Sequence, residues 1–180
     1  MSNETWPQWI SRHSYELRQG FEKDFVERVL SRIPEILPSD LQTQYGFRDR
    51  DNRQRRIDFV IANKSKGYFL PIELDGANKD TLQHQWADFL QRQNDLLEQF
   101  GPLLRFSNRQ MFERPNWIIK RIQSTLAIQA KNHEISIARS REVSRRQKEL
   151  EEKSKALAVA EKKLRELQQR LASTDSMRAE

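Results

Sequence analysis

The chain contains no cysteine, which excludes disulfides and cysteine-ligated zinc and fits a reducing, cytoplasmic setting. No apolar run approaches a membrane span, and Met1–Gly20 does not read as a signal peptide. The expectation is therefore a soluble intracellular protein that does not enter a membrane. Its three histidines, His13, His84 and His133, share no metal-ligand spacing and read as surface residues. Long-period repeats, low-complexity tracts and base-reading motifs are also missing. Glycine and proline are scarce and stop altogether at Pro115. Everything from Asn116 to about Ala172 is built of strong helix formers, so a globular part over 1–127 and a helical tail over 128–180 are expected.

What is present begins with charge. The net charge is +6 and the pI about 9.7, a balance that modestly favours polyanions. Residues 128–180 carry 13 Lys/Arg against 9 Asp/Glu, so most of the excess lies in the tail.

Periodicity supplies the elements. Apolar Phe21, Phe25, Val29 and Leu30 fall at helical spacing within Gly20–Arg32, and Pro34 ends that run. Leu41–Phe47 suggests a short strand. Two apolar runs, Ile57–Ala62 and Tyr68–Leu74, flank the turn-rich Asn63–Gly67 and read as a β-hairpin. Thr81–Phe100 is helical through Leu82, Trp86, Phe89, Leu90, Leu97 and Phe100; Leu103–Phe106 is a strand; Asn116–Leu126 opens the last helix. Trp6 and Trp9, around Pro7, are expected to cap the core. The order α-β-β-β-α-β-α predicts an α/β fold, a mixed sheet flanked by helices with a long C-terminal helix. In the tail, Val143, Leu150, Leu157, Leu164 and Leu171 recur every seven residues, as in a coiled-coil seam. The row three residues later is Arg146, Lys153, Ala160 and Leu167, apolar only in its second half. The tail is either a solvated helix or one half of a homodimer.

The hairpin strands carry acids where apolar residues belong: Asp58 on the first, Glu73 and Asp75 on the second. Glu73 and Asp75 share a face, and closing the hairpin around Lys64–Lys66 sets Asp58 opposite residue 72 or 73. Three carboxylates so placed repel one another unless a cation sits among them, and hard oxygen donors suit magnesium or manganese. The plain alternative is that these are solvated strand-end acids.

These residues, in this order, resemble the PD-(D/E)XK nuclease superfamily, most closely its very-short-patch-repair-like branch. The resemblance spans Gly20 to Leu126. It rests on Glu22 ahead of Phe25 and Val26, Gln44 on the strand before the hairpin, and Ile57-Asp58-Phe59. It continues through Ile72-Glu73-Leu74-Asp75-Gly76, Arg92 on the following helix, and Leu104-Arg105-Phe106-Ser107-Asn108. Asp75 stands where most of the superfamily has lysine, and Lys79 where the branch tends to have histidine.

The resemblance implies a restriction-endonuclease-like fold and a Mg2+- or Mn2+-dependent nuclease acting on DNA. Asp58, Glu73 and Asp75 would be metal ligands, with Asp75 alternatively orienting the attacking water. Glu22 would be a ligand or base, with Glu27 its rival. Lys79 would stabilise the leaving phosphate, and Gln44, Lys79 and Arg92 would contact nucleic acid. Ordinary roles stand beside each: a turn residue for Asp75, a backbone bond for Gln44, a solvated loop lysine for Lys79. Arg92 and Arg105 either clamp DNA or pair with helix carboxylates such as Asp95 or Glu98, the latter expected of Arg105. The same fold with a dead site would be a binding or adaptor module.

Overall fold

The computed structural model describes residues 4–18, 21–75 and 83–178, with side chains described over 4–17, 21–75, 87–166 and at Gln168. It divides into two compact units, Met1–His133 and Glu134–Glu180. The boundary lies beyond the expected 127/128 because the next turns of the last helix still belong to the core. Gln129 donates to Phe69 O at 2.7 Å and accepts from Phe69 N–H at 3.1 Å. Gly67, with φ of 72°, lies so close to His133 that a Cβ there would meet the His133 Cβ at 2.3 Å. Glycine is required at that turn for both reasons.

The first unit is α/β. In chain order it comprises α1 (Trp6–Arg12), α2 (Glu22–Arg28), β1 (Leu41–Arg48), β2 (Gln54–Asn63), β3 (Tyr68–Asp75), α3 (Gln83–Phe100), β4 (Leu104–Ser107) and α4 (Asn108–Glu113). The opening turns of α5 (Pro115–Arg178) complete it. The sheet runs β1-β2-β3-β4; the first two pairings are antiparallel and β3–β4 is parallel, so the sheet is mixed as expected. Phe59, Ile61, Leu70, Ile72 and Phe106 pack on one face against Phe25, Val26 and Leu30 of the α2 region, Met111 of α4, and Ile118 and Ile122 of α5. Leu96 of α3 packs with Phe47 and Val60 in a second, smaller core.

Local chemistry explains most boundaries. Val29 departs from helical geometry (φ −122°, ψ −67°), so the helix expected to Arg32 ends early and Leu30–Arg32 forms a 3-10 turn. The Asn63–Tyr68 pair closes the hairpin over Lys64–Gly67, as the turn residues predicted. Two elements go beyond the sequence reading. In α1, Gln8 Oε1 accepts the Thr5 N–H at 2.9 Å, and Trp9 lies inside the core rather than capping it. His13, expected at the surface, stacks on Trp9 with ring centroids 4.1 Å apart. In α4, Gln110 N–H donates to Ser107 Oγ while Gln110 Oε1 accepts the Ser107 N–H, a reciprocal cap that starts a helix directly at the end of β4.

The second unit is the continuation of α5 from Glu134, whose described side chains are almost all exposed. Among the described residues, no helix is long and apolar enough to cross a membrane.

Candidate functional site

The hairpin register pairs Phe59 with Ile72; continued by one residue, it sets Asp58 opposite Glu73, one of the two positions the sequence offers. On the other side β4 runs parallel to β3, with Arg105 beside Glu73 and Ser107 beside Asp75. Because side chains alternate, Glu73, Asp75 and Arg105 all leave the face that carries Ile72, Leu74 and Phe106. The acids therefore meet the α3 side of the sheet, where Arg92 projects toward them.

The cations among these acids are guanidinium groups. Arg92 Nη2 donates to Glu73 Oε1 at 2.5 Å and to Arg56 O at 2.8 Å. Arg105 grips Asp75 with two hydrogen bonds, of 3.1 and 2.8 Å, and its Nη2 lies 3.0 Å from Glu73 Oε2. The Arg105 guanidinium also sits 4.2 Å from the Phe89 ring centroid. The expected pairing of Arg105 with Asp95 or Glu98 is incorrect: Arg50 pairs with both of those acids. Strand register decides this, since β4 places Arg105 between two β3 carboxylates.

Asp58 Oδ2 accepts the Leu74 N–H at 2.7 Å, which fixes its carboxylate across the hairpin. Glu22 opens α2 half-buried, whereas Glu27, its rival, is exposed and pairs with Lys23 at 3.7 Å. Burial pushes the carboxyl of Glu22 above its ordinary range, and Asp58 adds to the rise. Asp58 is raised too, chiefly by burial, despite the Leu74 N–H and Arg92; Asp75 pushes the same way as burial. Glu73 is raised by burial even with Arg92 and Arg105 opposing. For all three carboxyls burial is the largest cause of the rise, and the two arginines offset it only in part at Asp58 and Glu73.

Hydrogen-bond accounting gives the same picture. Among the described residues, the buried side-chain atoms without a hydrogen bond are Glu22 Oε2, Glu73 Oε2, Arg92 Nε, Arg105 Nη1 and Asn108 Oδ1. Native proteins leave few such atoms, and each calls for an explanation. Four of the five belong to Glu22, Glu73, Arg92 and Arg105 around the hairpin acids; Asn108, which opens α4, follows Ser107, the register partner of Asp75.

Gln44 has φ of 48°, a left-handed conformation uncommon outside glycine. The β1–β2 register places it opposite Asp58, where the regular pairing is interrupted. Such outliers collect at functional sites. Lys79 lies outside the described residues. Asn108, the last residue of the Leu104-Arg105-Phe106-Ser107-Asn108 motif, opens α4, and the Ser107-x-x-Gln110 cap is the sequence signal for that helix start.

Among the described residues, no group of three or more Asp, Glu, His or Cys forms a ready-made cation cage. The donor type, carboxylate oxygen, is the one a hard divalent ion takes: Glu22 Oε2 has no hydrogen bond, and Glu73 Oε2 has only the Arg105 ion pair at 3.0 Å. Comparison of the chain with family models, curated proteins and solved structures finds no match.

Proposed function

We propose that the first unit is a metal-dependent nuclease of restriction-endonuclease-like type, hydrolysing phosphodiester bonds, most readily in DNA. The observation that carries this reading is a complementary set of under-served atoms. Arg92 Nε and Arg105 Nη1 are charged donors suited to phosphate oxygens, while Glu22 Oε2, which has no hydrogen bond, and Glu73 Oε2, which has only the Arg105 ion pair at 3.0 Å, are hard acceptors suited to a cation. A phosphodiester with its divalent ion satisfies both kinds of atom together.

Asp58 and Glu73 would hold magnesium or manganese, which when bound neutralises the phosphate and lowers the pKa of an attacking water, with Glu22 left as the base. The rest of the work falls to the chain. The Leu74 N–H keeps Asp58 oriented. Glu22 holds a proton more readily than an ordinary glutamate and is suited to proton exchange with water or the leaving oxygen. Arg105, which grips Asp75 and approaches Glu73, would turn a guanidinium N–H to donate to a phosphate oxygen as the substrate arrives. Gln44, strained beside Asp58, lies within the same surface.

A second reading is an inactive nucleic-acid-binding or adaptor module. It is favoured by the pairing of Arg92 and Arg105 with Glu73 and Asp75, which already supplies positive charge. Nicking of supercoiled plasmid separates the two. The nuclease reading expects cleavage that needs Mg2+ or Mn2+, stops with EDTA, and disappears in Asp58→Asn and Glu73→Gln. Cleavage unchanged in both variants would remove these acids from the chemistry. Absence of cleavage, with DNA affinity falling by roughly 0.9 log units per log salt for each phosphate contact, would favour the adaptor.

A further inference from the structure

We propose that the second unit binds a second copy of this chain as a parallel, in-register, two-stranded coiled coil. Within Glu134–Glu180, Val143, Leu150, Leu157 and Leu164 are 62%, 68%, 62% and 57% exposed on one continuous helix. Their spacing is strictly seven. On a straight α-helix a seven-residue step falls short of two turns by about 20°, so a strict heptad row drifts around the surface. Two helices winding left-handedly about each other hold it on one line, and that is the partner this row fits.

The flanks choose the register and the occupant. One flank of the stripe carries Arg146 and Lys153, the other Gln147, Ser154, Glu161 and Gln168. With the leucines at d, the second row becomes a, and its amides and hydroxyls meet their own counterparts across the dimer axis. A single polar a residue such as Asn sets register and oligomer state at a cost in strength, and a row that is polar throughout lowers the strength further. Arg146 then takes a g position and Glu151 the following e position, so each Arg146 faces the partner's Glu151 and both cations leave the seam. Placing the leucines at a instead would put Arg146 and Lys153 against their own copies. A homodimer uses both members of the Arg146–Glu151 set twice. Glu161 is the misfit of the row, and it keeps the expected affinity in the micromolar range.

The full chain tests this directly, without reference to catalysis. In sedimentation from about 1 to 100 µM (the span a micromolar equilibrium would cross), mass should rise from the 21.5 kDa monomer toward twice that value. Leu157→Glu with Leu164→Glu should remain monomeric with the near-ultraviolet dichroism of the first unit unchanged. Arg146→Glu should weaken association and Arg146→Glu with Glu151→Arg should restore it. Since the chain has no cysteine, single cysteines report register: Ser154→Cys should give a covalent dimer on mild oxidation and Glu152→Cys should not. A wild-type monomer throughout, a dimer that survives both leucine substitutions, or equal cross-linking at 152 and 154 would overturn the proposal.

Discussion

At the turn end of the β2–β3 hairpin, Asp40 is buried and fully served. Asn63 donates to its Oδ1 at 2.6 Å, and Lys66 Nζ and Leu37 N–H donate to its Oδ2 at 2.8 and 3.1 Å. Burial alone would raise its pKa, but these bonds outweigh it and hold Asp40 below the ordinary range. At the other end, Glu73 is as deeply buried and Asp58 half-buried, yet their pKa values are raised, and Glu73 Oε2 has the Arg105 ion pair but no hydrogen bond. The two ends of the hairpin thus meet one acid that supports the fold, Asp40 from the turn before β1, and two that burden it, Asp58 and Glu73 on the strands themselves. Evolution retains a burden of the second kind where it serves binding or catalysis.

The largest expected effect is on activity. Asp58→Asn, which keeps an oxygen for the Leu74 N–H, should reduce cleavage at least about 10²-fold, comparable to loss of a main electrostatic group. The same change should raise Tm by a few degrees in calorimetry, because it removes a charge the fold disfavours. A fall in Tm would move Asp58 into the supporting class.

Asp40→Ala should do the reverse: cleavage per folded molecule unchanged, and stability lower by about 2–3 kcal/mol in urea unfolding, from lost bonds to a charged acceptor. Loss of activity without loss of stability would break the comparison.

The two ends should also part with pH. For Glu22, Asp58 and Glu73 the folded pKa is raised, so between the unfolded value of about 4 and the folded value the native state binds more protons. Stability falls as pH rises through that window. For Asp40 and Asp49 the folded pKa is lowered, so their support is present above about 4 and is lost as pH falls through the folded value. Urea midpoints against pH should show Asp58→Asn flattening the decline above pH 4, and Asp40→Ala flattening the loss below it.

The smallest stability effect is expected at Gln44. Gln44→Gly relieves the positive φ and should change stability by less than about 1 kcal/mol, the strand cost of glycine offsetting the relief. DNA affinity should nevertheless fall, measured by fluorescence anisotropy. Unaltered affinity would leave Gln44 a backbone feature only.

The hairpin and its acids were legible because both signals are local: alternation with turn residues gives the ribbon, and charges interrupting apolar strands mark Asp58 and Glu73. The partners were harder to read. Arg105 reaches Glu73 and Asp75 through the parallel register of β3 and β4, which no short stretch of sequence encodes. The sequence offers it the carboxylates of α3, which Arg50 in the β1–β2 turn takes instead. Glu22 and Glu27 could not be separated by spacing, because the early end of α2 at Val29 depends on core packing. The tail heptads were visible at once, being a period within one element.

Manganese binding tests most directly whether the far end of the hairpin awaits a cation. In titration calorimetry on the wild-type chain, without nucleic acid, Mn2+ should bind and raise Tm with concentration as ligand linkage requires. Binding should be lost in Asp58→Asn and Glu73→Gln and retained in Asp40→Ala. Binding unaffected by Asp58→Asn and Glu73→Gln, or absent from the wild type with and without DNA, would contradict the account.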